Sequence, residues 1–505
     1  MMETALNKAE INCLERVFSV CVGCEETAES VVPDILPDIC KIADADGLVL
    51  LRSKVAEQGR VSVNGTINAT VLYLPEDGSG VCRLSIDVPY SISYECADVS
   101  EASHPETSVR LRSIDARMLN PRKVLIRADV EAEIRVYNES AYSVSSGLDA
   151  EEETSIQVQS NSFAFMPVIS AKEKTFVMTD EYQIPANMPA LDVLLRERLE
   201  LFVDDIKSVG NKIIFKGIAK FDLMYASAQG DVLSTTWSSS FSQILEMNEI
   251  DENPEVKVTL MLTGAYFEPM DTANDGRVIT AELHVVAQAT CIEQREYSYI
   301  SDAYSNKFLL DIQRETVSLR SAERASTQRE TIHDFLETST PVGELVSVYT
   351  RLGIISVNEG DVKCAISVHA IYKDPGGELI SMSKKINADF YFEIDEGTAL
   401  ESLAVRSIEE YATPSAGGLE IRIPVEITAE IYRNIIVETV SGIVEDRESP
   451  IDLSDSPSII VLQNSSDDLW KLAKKYHSTQ TLIKEANKIS CIEEAEDILL
   501  VPVHR

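Results

Sequence analysis

Three stretches of the chain alternate apolar and polar residues with one shared internal spacing. That repetition constrains the fold more than any other feature. Residues 61–73 place Val61, Val63, Gly65, Ile67, Ala69, Val71 and Tyr73 at alternate positions, with mostly Ser, Asn and Thr between them. Residues 213–225 repeat the pattern as Ile213, Phe215, Gly217, Ala219, Phe221, Leu223 and Tyr225. Glycine to tyrosine is eight residues in both, and tyrosine to a turn glycine, Gly78 or Gly230, is five. A third copy keeps both spacings with Cys364, Tyr372 and Gly377. A period of two marks a half-buried strand, or two strands joined by a kink at the glycine. A small residue on the inward face implies that another backbone or ring packs closely there.

Each copy has a second half. After Val109, Val256 and Leu403 comes a turn-rich gap, then a long alternating run. The inward sets are Val124, Ile126, Ala128, Val130, Ala132, Ile134 and Val136; then Ile279, Ala281, Leu283, Val285 and Ala287; then Ile421, Ile423, Val425, Ile427, Ala429 and Ile431. Alternating strands separated by turns predict a mainly β fold, with three tandem β-sandwich or open-barrel units. The expected units span 10–140, 171–295 and 305–436. Polar linkers are expected at 141–170 and 437–457, and a different module at 458–504.

Pro33 and Pro37 stand four apart ahead of the first alternating run, and Pro185 and Pro189 stand likewise ahead of the second. The third has Pro341 alone. Proline fixes φ and biases its predecessor towards extended backbone, so neither helix nor central strand runs through. The proline pair is read as the point where a unit begins.

With 505 residues the chain is too long for one core. Its formal net charge of −38 disfavours nucleic acid and anionic lipid as partners. The N-terminus lacks a basic start followed by an apolar run, so no secretory signal is expected, and no stretch approaches a membrane span. Nine cysteines, an odd number in a large chain, suit a reducing compartment. The expected location is cytoplasmic.

The last segment changes period and reads as strand, helix, helix, strand. Ser465 or Ser466 can cap the first helix, with Asp467 and Asp468 in its first turn complementing the helix dipole. Leu469, Leu472, Ala473 and Tyr476 form its apolar face. Thr479 can cap the second helix, whose inward residues are Leu482, Ile483 and Ala486. Residues 498–502 return as the closing strand.

This tail resembles a LysM domain. Asp468, Leu469, Trp470, Ala473, Lys474, Tyr476, Ala486, Asn487, Leu499 and Pro502 match the family pattern. The upstream repeats, with the segment VPDILPDI and the glycine-to-tyrosine spacing, resemble the SPOCS domain. That family occurs in endospore-forming Firmicutes, in tandem copies followed by LysM, in proteins associated with spore-coat assembly. The resemblance implies a non-catalytic scaffold with a recognition module at its end, working on the mother-cell side of the forespore surface if the organism sporulates.

LysM domains typically bind glycans containing N-acetylglucosamine, in a groove between two loops. Carried over by position, the groove is lined by Asn464, Ser465, Ser466, Asp467, Asp468 and Leu469 on one side. Asn487, Lys488, Ile489 and Ser490 face them. Two departures stand out: serine replaces the family's turn glycine, and Glu496-Asp497 replaces the usual Gly-Gln, beside Glu493 and Glu494. A carboxylate cluster suits a basic protein surface, whereas a glycan groove offers amides and an apolar platform. Two partners therefore stay open: a spore-coat or envelope morphogenetic protein, or a peptidoglycan-type glycan.

Catalytic chemistry has little support. There is no HExxH, no P-loop and no nucleophile elbow, and acid pairs in so acidic a chain nominate nothing. Cys21 and Cys24 have CxxC spacing, with Cys13 and Cys40 nearby, but residues three apart in a strand point to opposite faces unless Gly23 turns the chain. The expectation is no metal and no cofactor. His284 and His369 fall on the outward side of their strands and are expected at the surface. Trp470 is expected in the core rather than on a sugar ring.

Overall fold

The computed structural model describes residues 2–149, 156–247, 250, 254–270, 276–454, 456–463, 468–491, 494 and 498–503. The alternating segments become strands because one face of each is apolar and must be covered. In the first unit β1 (Met2–Val31) leads to a meander of β2 (Ile39–Glu57), β3 (Arg60–Pro75) and β4 (Cys82–Glu95). The chain returns as a hairpin, β5 (His104–Asn120) and β6 (Lys123–Asp149), and β6 also pairs antiparallel with β1. β7 (Ile156–Phe165) follows.

The second unit repeats the order. β8 (Val168–Gln183) leads to the meander β9 (Val193–Val209), β10 (Lys212–Ala226) and β11 (Val232–Glu246), then to the hairpin β12 (Glu255–Pro269) and β13 (Val278–Ile292), with β13 pairing back onto β8. After β14 (Arg295–Ser305), β15 (Phe308–Glu337) leads to β16 (Glu344–Asn358), β17 (Asp361–Lys373) and β18 (Leu379–Tyr391). Here the hairpin is split: β19 (Thr398–Ser407) and β20 (Tyr411–Ser415) both pair with β21 (Gly418–Pro450), which pairs with β15.

Each unit is thus a sandwich, its meander facing a lead-strand-and-hairpin layer across an apolar core. The inward sets read from the sequence are that core. Val124 through Val136 at alternate positions are fully buried, and Ile279 to Ala287 and Ile421 to Ile431 are at most 3 % exposed. Each Val, Leu or Ile among them contributes roughly 1.5–3 kcal/mol by leaving water.

Residues 61–73 and 213–225 are single unkinked strands, β3 and β10, and the glycines act by close approach. A Cβ on Gly65 would stand 2.2 Å from the Tyr90 hydroxyl oxygen, and one on Gly217 would stand 2.3 Å from the Phe241 ring. The turn glycines Gly78, Gly230 and Gly377 have φ of 70°, 87° and 84°.

The prolines do not begin a unit. Each pair follows the unit's lead strand and carries the chain across to the meander layer. In both pairs the first proline's carbonyl closes a turn, accepting from Leu36 N and Met188 N at 2.9 Å. The second proline's carbonyl is held by the repeat tyrosine: Tyr73 Oη donates to Pro37 at 3.1 Å, and Tyr225 Oη to Pro189 at 3.0 Å. In the third unit Tyr372 Oη meets Thr340 Oγ1 at 3.1 Å, one residue before Pro341.

The segments expected as polar linkers are strand. Residues 141–149 continue β6, 156–165 form β7, and 437–450 continue β21. β7 pairs with β14, and the first residues of β1, Met2–Thr4, pair with Ile443–Glu445 of β21. Their apolar residues, among them Ile11, Val144, Phe165, Leu319 and Val437, make a further small core. Serine-rich alternation hid Tyr142 and Val144, which are enough to seat a strand on a partner that is already ordered.

The units meet through their first meander strands. Asp44, Arg196 and Ser347 occupy one repeat position, each opposite the residue preceding the repeat tyrosine (Leu72, Met224 and Ile371). Leu72, Met224 and Ile371 pack with Leu195, Val232 and Leu379 in one apolar cluster drawn from all three units. Beside it, Arg196 Nη1 donates to Asp44 at 3.1 Å and Nη2 to Ser347 Oγ at 2.8 Å. Two residues along from Asp44 and Arg196, Arg198 bonds Asp46 at 2.8 Å, and Arg351, four residues beyond Ser347, bonds Asp46 as well. Against its burial, these two guanidiniums hold the Asp46 carboxyl below the usual carboxylate range.

Candidate functional site

The C-terminal module is a two-stranded antiparallel ribbon, β22 (Ile459–Gln463) and β23 (Ile498–Pro502), enclosing α1 (Leu469–Lys475) and α2 (Gln480–Asn487). Leu469, Trp470, Leu472, Ala473, Ile483, Leu499 and Val501 form its core. Asp468 is the N-cap of α1, accepting from Trp470 N at 3.0 Å, so the helix begins after Asp468 and the aspartate is not in its first turn. Thr479 caps α2, accepting from Leu482 N at 3.1 Å. Ile483 is fully buried, but Ala486 is exposed, because a helix of two turns turns only a narrow stripe inward.

The carried-over groove is visible in part. Asn464, Ser465, Ser466 and Asp467 lie outside the described residues, as do Glu493, Glu496 and Asp497 of the acidic cluster. Leu469 is buried in the core, and Ile489 packs against it. Lys488 is exposed in the left-handed region at φ 54° and ends α2. Ser490 N donates to the Glu494 carboxylate at 2.6 Å, so that acid closes its own loop.

Asn487 is committed to the fold. Its Nδ2 donates to the carbonyls of Ile483 and Leu500, each at 2.7 Å, while its Oδ1 accepts from Leu500 N at 2.8 Å. Both amide hydrogens and the oxygen are therefore spent locking α2 to the closing strand. Among the described groove positions, the side chains left at the surface are Asp468, Lys488 and Ser490.

The module is fixed to the β-body through β14. Asp302 accepts from Trp470 Nε1 at 2.9 Å and from Lys474 Nζ at 2.7 Å, and pairs with Arg314 of β15 at 2.8 Å. Despite partial burial, the bonds from Lys474 and Trp470 hold the Asp302 carboxyl below its ordinary value. Tyr304 lies edge-on to Trp470, centroids 4.8 Å apart, and its hydroxyl donates to Ser478 O at 2.8 Å. Trp470, 5 % exposed, is a core and docking residue. No sequence signal marked Asp302, since one aspartate among many carries no pattern.

The remaining candidates sort by burial. Cys21 and Cys24 lie on the straight strand β1, paired with Glu133 and Val130, so Gly23 does not turn the chain. Desolvation on the sheet face and the neighbouring carboxylates push both thiols up to about 11, away from the thiolate a metal needs. Among the described residues no His, Cys, Asp and Glu side chains gather into a metal-sized group. His284 is half-exposed, as expected of an outward residue, and bonds Glu282 at 2.8 Å. His369 is half-buried: it stacks on its cross-strand partner Tyr349, centroids 4.8 Å apart, beside the junction between units. On the outward face of β17 only the end residue Ile371 is fully buried, in the cluster shared by the three units, which the repeat pattern of one unit does not reveal.

Comparison with family models matches the SipL, SPOCS domain to residues 38–119 and 192–268, and the LysM domain to residues 464–493. Both SPOCS segments run from the meander into the first hairpin strand, and the third unit lies outside them. No curated protein and no solved structure matches the chain. The chain is mainly β and carries a SPOCS domain, matched in two segments, and a C-terminal LysM domain.

Proposed function

We propose that the protein is a non-catalytic scaffold in spore-coat or cell-envelope assembly, with the LysM module as its recognition end. Three tandem SPOCS-like units form the body, the third being a further copy by strand order. The single observation that carries the reading is the Asp302 clamp. A module held through Trp470, Lys474 and Tyr304 presents its outer surface in a fixed direction, which suits assembly on a partner. A net charge of −38 fits a basic protein surface as that partner, on the mother-cell side of a forespore. No helix among the described residues is long and apolar enough to cross a membrane.

The second reading is a binder of glycans containing N-acetylglucosamine, and the LysM match itself favours it. What weighs towards protein recognition is the state of the described groove side chains: Asn487 and Trp470 are occupied within the fold, and charged groups remain outside. Calorimetric titration of the full chain with a chitin pentamer separates the two. The scaffold reading expects no saturation at millimolar ligand. Saturable binding that Lys488→Glu weakens would establish the glycan reading instead.

A further inference from the structure

Next to the buried ion pairs, where the three units meet, lies a cavity of about 510 Å³ walled by β2, β9 and β16 together with β5, β12 and β19. These are corresponding strands of the three units, so the cavity exists only because the units are joined. We propose that it is a binding site for a small organic monoanion with an apolar body, a site separate from the LysM module. Its volume falls in the range of small-molecule pockets. Leu201, Met261, Leu262 and Ile408 supply apolar wall.

The head-group preference comes from Arg351. Its side chain is 6 % exposed, and its Nη2 is engaged by Asp46. Nη1 is buried without any hydrogen-bond partner. A buried charged donor left unpaired is costly, and one anionic oxygen in the cavity would relieve it. The other guanidiniums on the wall are already matched: Arg198 by Asp46, Arg110 by Glu131 and Arg406 by Glu426. One unpaired donor group calls for a single negative charge, not for a polyphosphate. Glu200 also lines the wall, and burial, helped by Glu410 nearby, raises its pKa. That shift lessens the repulsion this carboxyl opposes to an anion in the cavity.

The test uses the full chain and the fluorescent probe 8-anilinonaphthalene-1-sulfonate, an anion with an apolar body. One saturable site is expected, displaced by hexanoate and not by 1-hexanol. Arg351→Met should weaken the probe at least about tenfold. Because Arg351 also holds Asp46, Ile408→Trp provides an independent check. Ile408 lines the cavity, is 43 % exposed and is no member of an ion pair, so a tryptophan there should block the cavity and abolish binding with unfolding unchanged. The proposal is overturned if no binding occurs up to about 1 mM probe. Binding that survives both variants, or equal displacement by hexanol, also overturns it.

Discussion

Arg196 and Asp44 sit at the same position of two different units, and they bond each other at 3.1 Å in the interior, with Arg196 fully buried. A repeat position that is acidic in the first unit, basic in the second and a serine in the third gives each unit a distinct neighbour. The pair thereby fixes which unit meets which. Removing one partner strands a charge in low dielectric, so Arg196→Met should cost about 3–5 kcal/mol in denaturant unfolding. The double variant Asp44→Leu with Arg196→Met should cost less than the sum of the singles. Strict additivity would mean that the two are not coupled.

The Asp302 clamp makes a separable prediction. Asp302→Ala removes the acceptor of Trp470 Nε1 and the counter-ion of Lys474, yet it lies outside the module's own fold. Trypsin should then release a fragment beginning near residue 450 much faster, and Trp470 emission should shift red. Unchanged cleavage would show that Tyr304 alone holds the module.

Close approach at the repeat glycines is testable by one methyl. Gly217→Ala places Cβ against the Phe241 ring and the Phe202 carbonyl, and should destabilise by about 1–3 kcal/mol. Phe241→Leu in the same chain should recover part of that loss, as thermal melting would report. Tyr225→Phe, which only frees the Pro189 carbonyl, should cost about 1 kcal/mol.

His369 predicts an acid-side weakness. Loss of hydration beneath Tyr349, with Arg351 alongside and Asp46 opposing, holds its imidazole down at about 3 against an ordinary 6.5. The unfolded chain therefore takes up the proton first. Stability is full above about pH 6.5 and falls as pH drops from there towards 3. Asp46, whose carboxyl is depressed, adds a loss of the same sign only below its ordinary value of 3.8. Melting of the wild type should drop between pH 7 and pH 5, and His369→Phe, which keeps the stack, should flatten that slope.

What was legible in the sequence is what one strand imposes on itself. The inward runs from Val124 to Val136 and from Ile421 to Ile431, the tight glycines and the Thr479 cap all follow from local period and residue size. What stayed hidden depends on a second element. The role of Pro37 emerges only with Tyr73 across the layer, and Tyr142 and Val144 needed their partner strands to become core. The junction did leave one readable trace. Asp44 and Asp46 precede Tyr73 by the same intervals at which Arg196 and Arg198 precede Tyr225, so aligning the repeats sets opposite charges at matching positions. In the LysM groove, Asn487 fits the family pattern for a reason of the fold: it ties α2 to Leu500.

Hydrogen–deuterium exchange of the full chain, read by mass spectrometry with and without Arg196→Met, tests most directly whether the three units act as one rigid body. If they do, peptides covering 44–50, 196–202 and 347–352 will be the slowest to exchange and will lose protection together in the variant. Loss confined to 196–202, with the other two peptides unmoved, would mean three independent domains on a string and would contradict the scaffold described.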